Sequence, residues 1–259
     1  MTIFITGGTS SIGRVLIKRL AGENQAVRVL VRPASDRRGL DLPGVEFVPG
    51  DVTDPASVSR GMQGCDRVVH LAAVVGASVP DETWWDVNRD GTRHVLQAAL
   101  DLGVKSMVQV STIGVLGATA PGELADERRS IDLASYTTLY QKTKRAADEM
   151  ARSFVTLGLP VKIVYPCFGY GCSWASSHPS MAEMTLLRLA YGKPTAIMGS
   201  GKNHLKMERL AVVGNDDDPM VTSVPQPPDC LHVPIEVFIR PSELQLPVVL
   251  VQLFAVDGD

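Results

Sequence analysis

Thr2-Ile3-Phe4-Ile5-Thr6-Gly7-Gly8-Thr9-Ser10-Ser11-Ile12-Gly13 stands almost at the first residue of this 259-residue chain. Ile3 to Ile5 reads as a short buried strand, and Ile12 to Leu20 carries apolar residues at helical spacing. Between them, Gly7, Gly8 and Gly13 let the backbone turn sharply and bring its N–H groups against a phosphate, at the positive end of the following helix. The stretch predicts a strand–loop–helix unit that holds a dinucleotide pyrophosphate. A glycine-rich turn alone also serves as a plain strand–helix connection; here the flanking strand and amphipathic helix favour the phosphate reading.

Further along, the alternation repeats. Strands are predicted at 26–31, 45–48, 66–71, 106–110 and 161–164, with helices at 86–102 and 134–157. Near-continuous apolar strands separated by helices indicate an α/β fold with a doubly wound parallel sheet. The pattern degrades after Gly201, and seven prolines fall between Pro219 and Pro247, where they interrupt both ladders and helices. Isolated strand candidates remain at 235–239 and 248–253. The expected division is a dinucleotide-binding domain over 1–165 and a substrate-binding region over 166–259, atypical after about 205.

Composition narrows the function. A net charge of -3 gives no electrostatic reason to expect nucleic acid or an anionic membrane. The four cysteines lack paired spacing, and with five scattered histidines they predict neither a metal site nor a disulfide framework. The apolar start lacks a basic leader, and the run from Leu246 to Val256 is far shorter than a membrane helix, so a cytoplasmic protein without membrane association is expected.

The cofactor type is read at the end of the second strand. An acidic residue there binds a ribose 2′-hydroxyl, whereas arginine accommodates a 2′-phosphate. Arg32 ends this strand, with Ser35, Arg37 and Arg38 behind it and no carboxylate before Asp36. NADP(H) is therefore favoured, with NAD(H) as the alternative. Asp51, followed by Val52, is placed to reach the adenine amino group or to cap the next helix.

The chemistry is read from Tyr140 and Lys144. One helical turn apart, they share a face, and the ammonium favours the phenolate of a group that is otherwise a poor acid or base at neutral pH. Ser111-Thr112, directly after the fifth strand, supplies a hydroxyl at the carboxyl edge of the sheet.

Together these residues resemble the extended short-chain dehydrogenase/reductase family over residues 2 to about 205, and within it the dihydroflavonol-reductase-like and sugar-nucleotide-epimerase-like branches. The likeness includes His70-Leu71-Ala72-Ala73, Asn88-Arg89-Asp90-Gly91-Thr92 and Tyr165-Pro166-Cys167-Phe168-Gly169-Tyr170-Gly171. It implies a Rossmann fold, with the cofactor held by Gly7, Gly8, Ser10, Ser11, Ile12, Gly13, Arg32, Arg37, Asp51, Val52, Leu71, Ala72, Ala73, Tyr165 and Pro166. Tyr140 would be the acid/base, Lys144 would bind the nicotinamide ribose, and Asn88 would support the active site. Aligning on Gly117 makes Thr112, rather than Ser111, the hydroxyl that holds the substrate oxygen. The family also implies hydride transfer at nicotinamide C4, and a homodimer through the helices carrying Asn88 and Tyr140.

Two positions depart from the family pattern. Ser10 replaces a glycine of T-G-x-x-G-x-x-G, which puts a side chain near the pyrophosphate. After Leu205 the chain goes proline-rich, where family members usually continue with a strand and paired aspartates and then several closing helices. Three readings follow: an NAD(P)H-dependent reductase of a medium-sized carbonyl or alcohol substrate, a sugar-nucleotide epimerase or dehydratase, and a dinucleotide-binding protein without turnover. Substrate choice would fall to loops after residue 165, which contain Trp174, His178, Met181, Met184 and Tyr191.

Overall fold

A computed structural model describes residues 1–76, 78–119, 125–166 and the backbone of 212–213. The rest of the tail with its strand candidates, the substrate-loop residues named above and Cys167, Cys172 and Cys230 lie outside the described residues.

Six strands, β1 (Thr2–Thr6), β2 (Ala26–Val31), β3 (Val45–Pro49), β4 (Arg67–His70), β5 (Ser106–Val110) and β6 (Val161–Val164), form a parallel sheet in the order β3-β2-β1-β4-β5-β6. A two-residue strand, β7 (Val212–Val213), pairs antiparallel to β6. Helix α1 (Ser11–Gly22) packs Leu16, Ile17 and Leu20 on one face of the sheet, against Ile3, Ile5, Val27 and Val29. Helices α2 (Pro55–Met62), α4 (Gly91–Asp101) and α5 (Leu139–Thr156) cover the other face, where Phe4, Val68, Met107 and Ile163 meet Met62, Leu96 and Phe154. This is the doubly wound Rossmann fold. Burial of the central strands on both faces explains their near-continuous apolar runs, each fully buried side chain contributing about 1.5–3 kcal/mol.

Two helices differ from their sequence-based bounds. The helix expected at 86 begins five residues earlier, as α3 (Asp81–Trp84), and passes through a π-helical stretch, Trp85–Asp90, into α4. The i→i+5 bond from the Gly91 N–H to the Asp86 carbonyl widens this turn. The helix expected from 134 starts at Leu139, because Thr138 is extended and its side chain accepts the Gln141 N–H. Residues Leu133–Ser135 form a separate 3-10 turn capped by Asp132. Apolar periodicity runs through both segments and does not register caps.

The strand order reverses between β1 and β4, whose last residues, Thr6 and His70, stand side by side. Ligands bind above the carboxyl ends of strands at such a switch point.

Candidate active site

The glycine loop leaves β1 at Thr6. Gly7 has φ +70°, and a Cβ there would lie 2.6 Å from the backbone of Leu71 and Ala72, so only glycine lets this loop close on the β4 exit. At Gly13 a Cβ would meet the Gly7 carbonyl at 2.5 Å, so α1 starts hard against the loop. Ser10, at the position of the missing glycine, is exposed and extended; its Oγ accepts the Gly13 N–H at 3.1 Å and caps the helix. Its side chain is thus turned to the helix backbone. The amides of Ser11 and Ile12, in the first turn, have no helical acceptor and remain for an anion.

Sequence reasoning missed Arg14, which is 2% exposed although it follows this loop directly. Its Nε donates to the Thr9 carbonyl at 3.1 Å, and its terminal nitrogens donate to the carbonyls of Arg38 (2.7 Å) and Asp36. It straps the segment after β2 to the phosphate loop. The only signal in the sequence is an arginine on the inward face of an otherwise apolar helix. Asp36 is drawn into the same cluster: hydrogen bonds from Arg38 first, then the charges of Arg38 and Arg14, hold its carboxyl well below the usual range. Arg32 is exposed directly after β2, and Arg37 lies over the Phe47 ring, 5.5 Å from its centroid. Asp51 does not cap α2; Asp54 does, accepting the Ala56 N–H at 3.0 Å. One oxygen of Asp51 instead accepts from the Thr53 N–H and hydroxyl, and the neighbouring Val52 is buried.

Below the loop, a chain of hydrogen bonds joins the two halves of the switch point. The Ala72 N–H reaches Thr6 Oγ1 at 3.4 Å, Thr6 Oγ1 meets His70 Nδ1 at 2.6 Å, and His70 Nε2 meets Thr92 Oγ1 at 3.0 Å. Thr92 gives its own proton to the Asn88 carbonyl at 2.7 Å, so His70 must donate through Nε2 and accept from Thr6 through Nδ1. Burial first, and the charge of Lys144 second, lower the pKa of His70 to about 3, which keeps it neutral. His70 is therefore a satisfied core histidine that fixes the Leu71-Ala72-Ala73 strand exit, all three half-buried.

Asn88, 1% exposed, sits in the π-helical stretch. Its Oδ1 accepts the Val74 N–H at 2.7 Å, while its Nδ2 donates to the Val74 carbonyl at 3.2 Å and to Thr143 Oγ1 at 3.0 Å. With its amide so engaged, Asn88 holds the loop after β4 and ties it to α5. It is a positioning residue in this structure.

Tyr140 is the second residue of α5, and the Thr112 hydroxyl lies beside its phenol. Ser111 Oγ, by contrast, is buried and has no hydrogen-bond partner among the described residues. The sequence gives Lys144 the task of favouring phenolate, but a different balance holds here. Burial pushes the Tyr140 phenol up, and the Thr112 hydrogen bond opposes it. Lys144, 4% exposed, donates instead to the Val110 carbonyl at 2.7 Å, and burial lowers its own pKa to about 8. Trp84, unnoticed in the sequence, packs on the Tyr140 ring from α3.

One expected contact is redirected. The Tyr165 side chain is 2% exposed in the core beneath α5, where its hydroxyl accepts from Arg152. Only its backbone remains for a cofactor. Pro166 follows at the sheet edge, and its carbonyl accepts the Ile113 N–H at 3.1 Å. Among the described residues no group of three or more metal-ligating side chains occurs, and no helix is long and apolar enough to cross a membrane.

A phosphate loop at a Rossmann switch point, beside a hydroxyl pair and a buried lysine, defines a nucleotide-dependent class. The chain matches the family model of the NAD dependent epimerase/dehydratase family over residues 3–206 and belongs to that family. It is 30% identical over 214 residues to the sterol demethylase protein B of Methylococcus capsulatus, covering 82% of this chain and 64% of that protein. It is 28% identical over 209 residues to a putative dihydroflavonol 4-reductase of Synechocystis, covering 80% and 60%. The chain thus spans less than two thirds of the length of these relatives. Among solved structures it is similar to the dTDP-glucose 4,6-dehydratase DesIV of Streptomyces venezuelae with NAD and TYD bound. The TM-score is 0.65 with 32% identity, covering 78% of this chain and 66% of that one.

Proposed function

We propose that this chain is an NAD(P)H-dependent oxidoreductase that reduces a carbonyl of a medium-sized substrate in the manner of a dihydroflavonol reductase. One observation carries the reading: the Thr112 hydroxyl lies beside the Tyr140 phenol at the carboxyl edge of the sheet, with Lys144 buried one turn along α5. The residues present fit a dinucleotide, since Gly7 lets the loop close on the β4 exit and the first-turn amides of Ser11 and Ile12 in α1 have no helical acceptor. Gly7, Gly8, Ser10, Ser11, Ile12 and Gly13 would hold the pyrophosphate, Asp51 and Val52 the adenine, and Leu71 to Ala73 with the Tyr165–Pro166 backbone the inner half. When bound, the cofactor supplies the hydride that reaches the carbonyl carbon. Thr112 orients the substrate oxygen, Tyr140 gives that oxygen its proton, and Lys144 holds the nicotinamide ribose.

NADP(H) is favoured over NAD(H). Arg32 is exposed after β2, while Asp36, the nearest carboxylate, is neutralised by Arg38 and Arg14 and so is poorly placed to bind a ribose 2′-hydroxyl. The proposed division of labour places cofactor binding in residues 1–165 and substrate binding after 166, in a cytoplasmic protein that pairs as a homodimer. The likeness to DesIV supports a second reading, a sugar-nucleotide epimerase or dehydratase using NAD.

Titration of the full-length protein with NADPH and NADH, followed by cofactor fluorescence, separates the two. Tighter NADPH binding is expected, together with loss of turnover in Tyr140→Phe at nearly unchanged cofactor affinity. Turnover that survives Tyr140→Phe overturns the proton-transfer assignment, and tighter NADH binding favours the second reading.

A further inference from the structure

The inward face of α5 carries more charge than proton transfer by Tyr140 requires. Tyr140, Lys144, Asp148 and Arg152 recur every fourth residue and so form one line down the helix. Asp148 has a side chain that is 0% exposed, and one of its oxygens, Oδ1, has no hydrogen-bond partner among the described residues. Its other oxygen accepts from Arg152 Nε at 2.9 Å. Arg152 is fixed in turn by the Glu127 carbonyl at 2.8 Å and the Tyr165 hydroxyl. A carboxylate is costly to bury unless cations compensate it, and here one carboxylate lies between two cations on the same face.

We propose that Asp148 is a positioning residue for the reaction: the buried carboxylate one turn behind Lys144, clamped by Arg152, is the counter-ion that keeps the cofactor-holding ammonium charged. The proposal rests on the reading of Lys144 as the ribose-binding residue. Lys144 is desolvated, and its hydrogen bond goes to the uncharged Val110 carbonyl, so nothing at its own depth on β5 balances it. Burial lowers its pKa and Asp148 opposes that fall. The other groups around it bring no negative charge. His70 from β4 is neutral, Asn88 and Thr143 form an amide–hydroxyl pair between the π-helical stretch and α5, and Ser111 and Thr112 offer hydroxyls. Tyr140 on its own helix is pushed towards the neutral phenol, and Tyr165 beyond Asp148 is pushed the same way. Among the described residues Asp148 is the one charged group that acts on Lys144.

The test reads cofactor binding rather than turnover. NADPH affinity, measured by fluorescence from neutral to alkaline pH, is expected to fall as Lys144 loses its proton, near pH 8 in the unaltered protein. Asp148→Asn moves that fall about one pH unit lower, and Asp148→Glu moves it back. Should Asp148→Asn fold poorly by circular dichroism, the double variant Asp148→Asn/Arg152→Met removes the pair as neutral groups and is expected to show the same shift. Lys144→Met is expected to abolish the pH dependence. If Lys144→Met abolishes it but the Asp148 variants track the unaltered protein, the counter-ion role is wrong and the ribose reading stands. If the pH dependence survives Lys144→Met, the ribose reading falls and the counter-ion role with it.

Discussion

Trp84 meets Tyr140 edge-on, with ring centroids 6.4 Å apart and planes at 68°. The contact joins α3 to α5 beside the candidate site. Edge-to-face pairs are worth about 0.5–1.5 kcal/mol beyond the area they bury. Burial is also the main force raising the Tyr140 pKa.

Trp84→Ala should therefore lower the Tyr140 pKa by admitting water, while misplacing the ring and slowing turnover about tenfold, roughly the rate equivalent of 1.4 kcal/mol. Trp84→Phe keeps an aromatic edge and should restore most of the rate. Spectrophotometric titration of the phenol, with Tyr140→Phe as the blank, gives the pKa. An unmoved titration in Trp84→Ala would show that another group excludes the water.

Asn88→Ala removes three hydrogen bonds and leaves the Val74 N–H and carbonyl without their partner. The expected loss of stability is about 2–3 kcal/mol, read by urea unfolding. Thr143→Val made on top of Asn88→Ala should cost less than Thr143→Val alone, because the Asn88–Thr143 bond is already gone. Strict additivity of the two changes would mean that Asn88 does not tie the β4 exit to α5.

His70 sets an acid limit on stability. Its pKa is about 3 in the folded chain, against an ordinary value of 6.5. Above pH 6.5 both states are neutral and the histidine makes no pH-dependent difference. As pH falls from 6.5 towards 3, only the unfolded state takes up the proton, so stability drops by up to about 1.4 kcal/mol per pH unit. The loss at pH 5 is about 2 kcal/mol. His70→Gln should be less stable at neutral pH but show a shallower decline between pH 6.5 and 4. Parallel declines in the two proteins would contradict a neutral, buried His70.

By itself the sequence determined the sheet and the place of the site. Six largely apolar strands separated by helices admit few arrangements, and Thr6-Gly7-Gly8 after the first strand marks a tight loop at the carboxyl edge of the sheet. Local pattern suffices there because a strand buried on both faces must be apolar along its whole length, and a tight loop must carry glycine. Tyr140, Lys144 and Thr112 could be proposed for a similar reason, since helical spacing and a strand end fix which residues share a face or an edge.

Tertiary structure decided the rest, because it depends on partners far apart in the chain. Ser10 reads as an obstruction until its hydroxyl is seen capping α1 on Gly13. Arg14 goes unread until the carbonyls of Asp36 and Arg38 arrive from beyond β2 to hold it. Arg152 takes up the Tyr165 hydroxyl, and Val74 and Thr143 take up the Asn88 amide, pairings that residue order does not show. A polar side chain's role is set by which donors and acceptors the fold brings within about 3 Å of it, and that distance is not written in residue order.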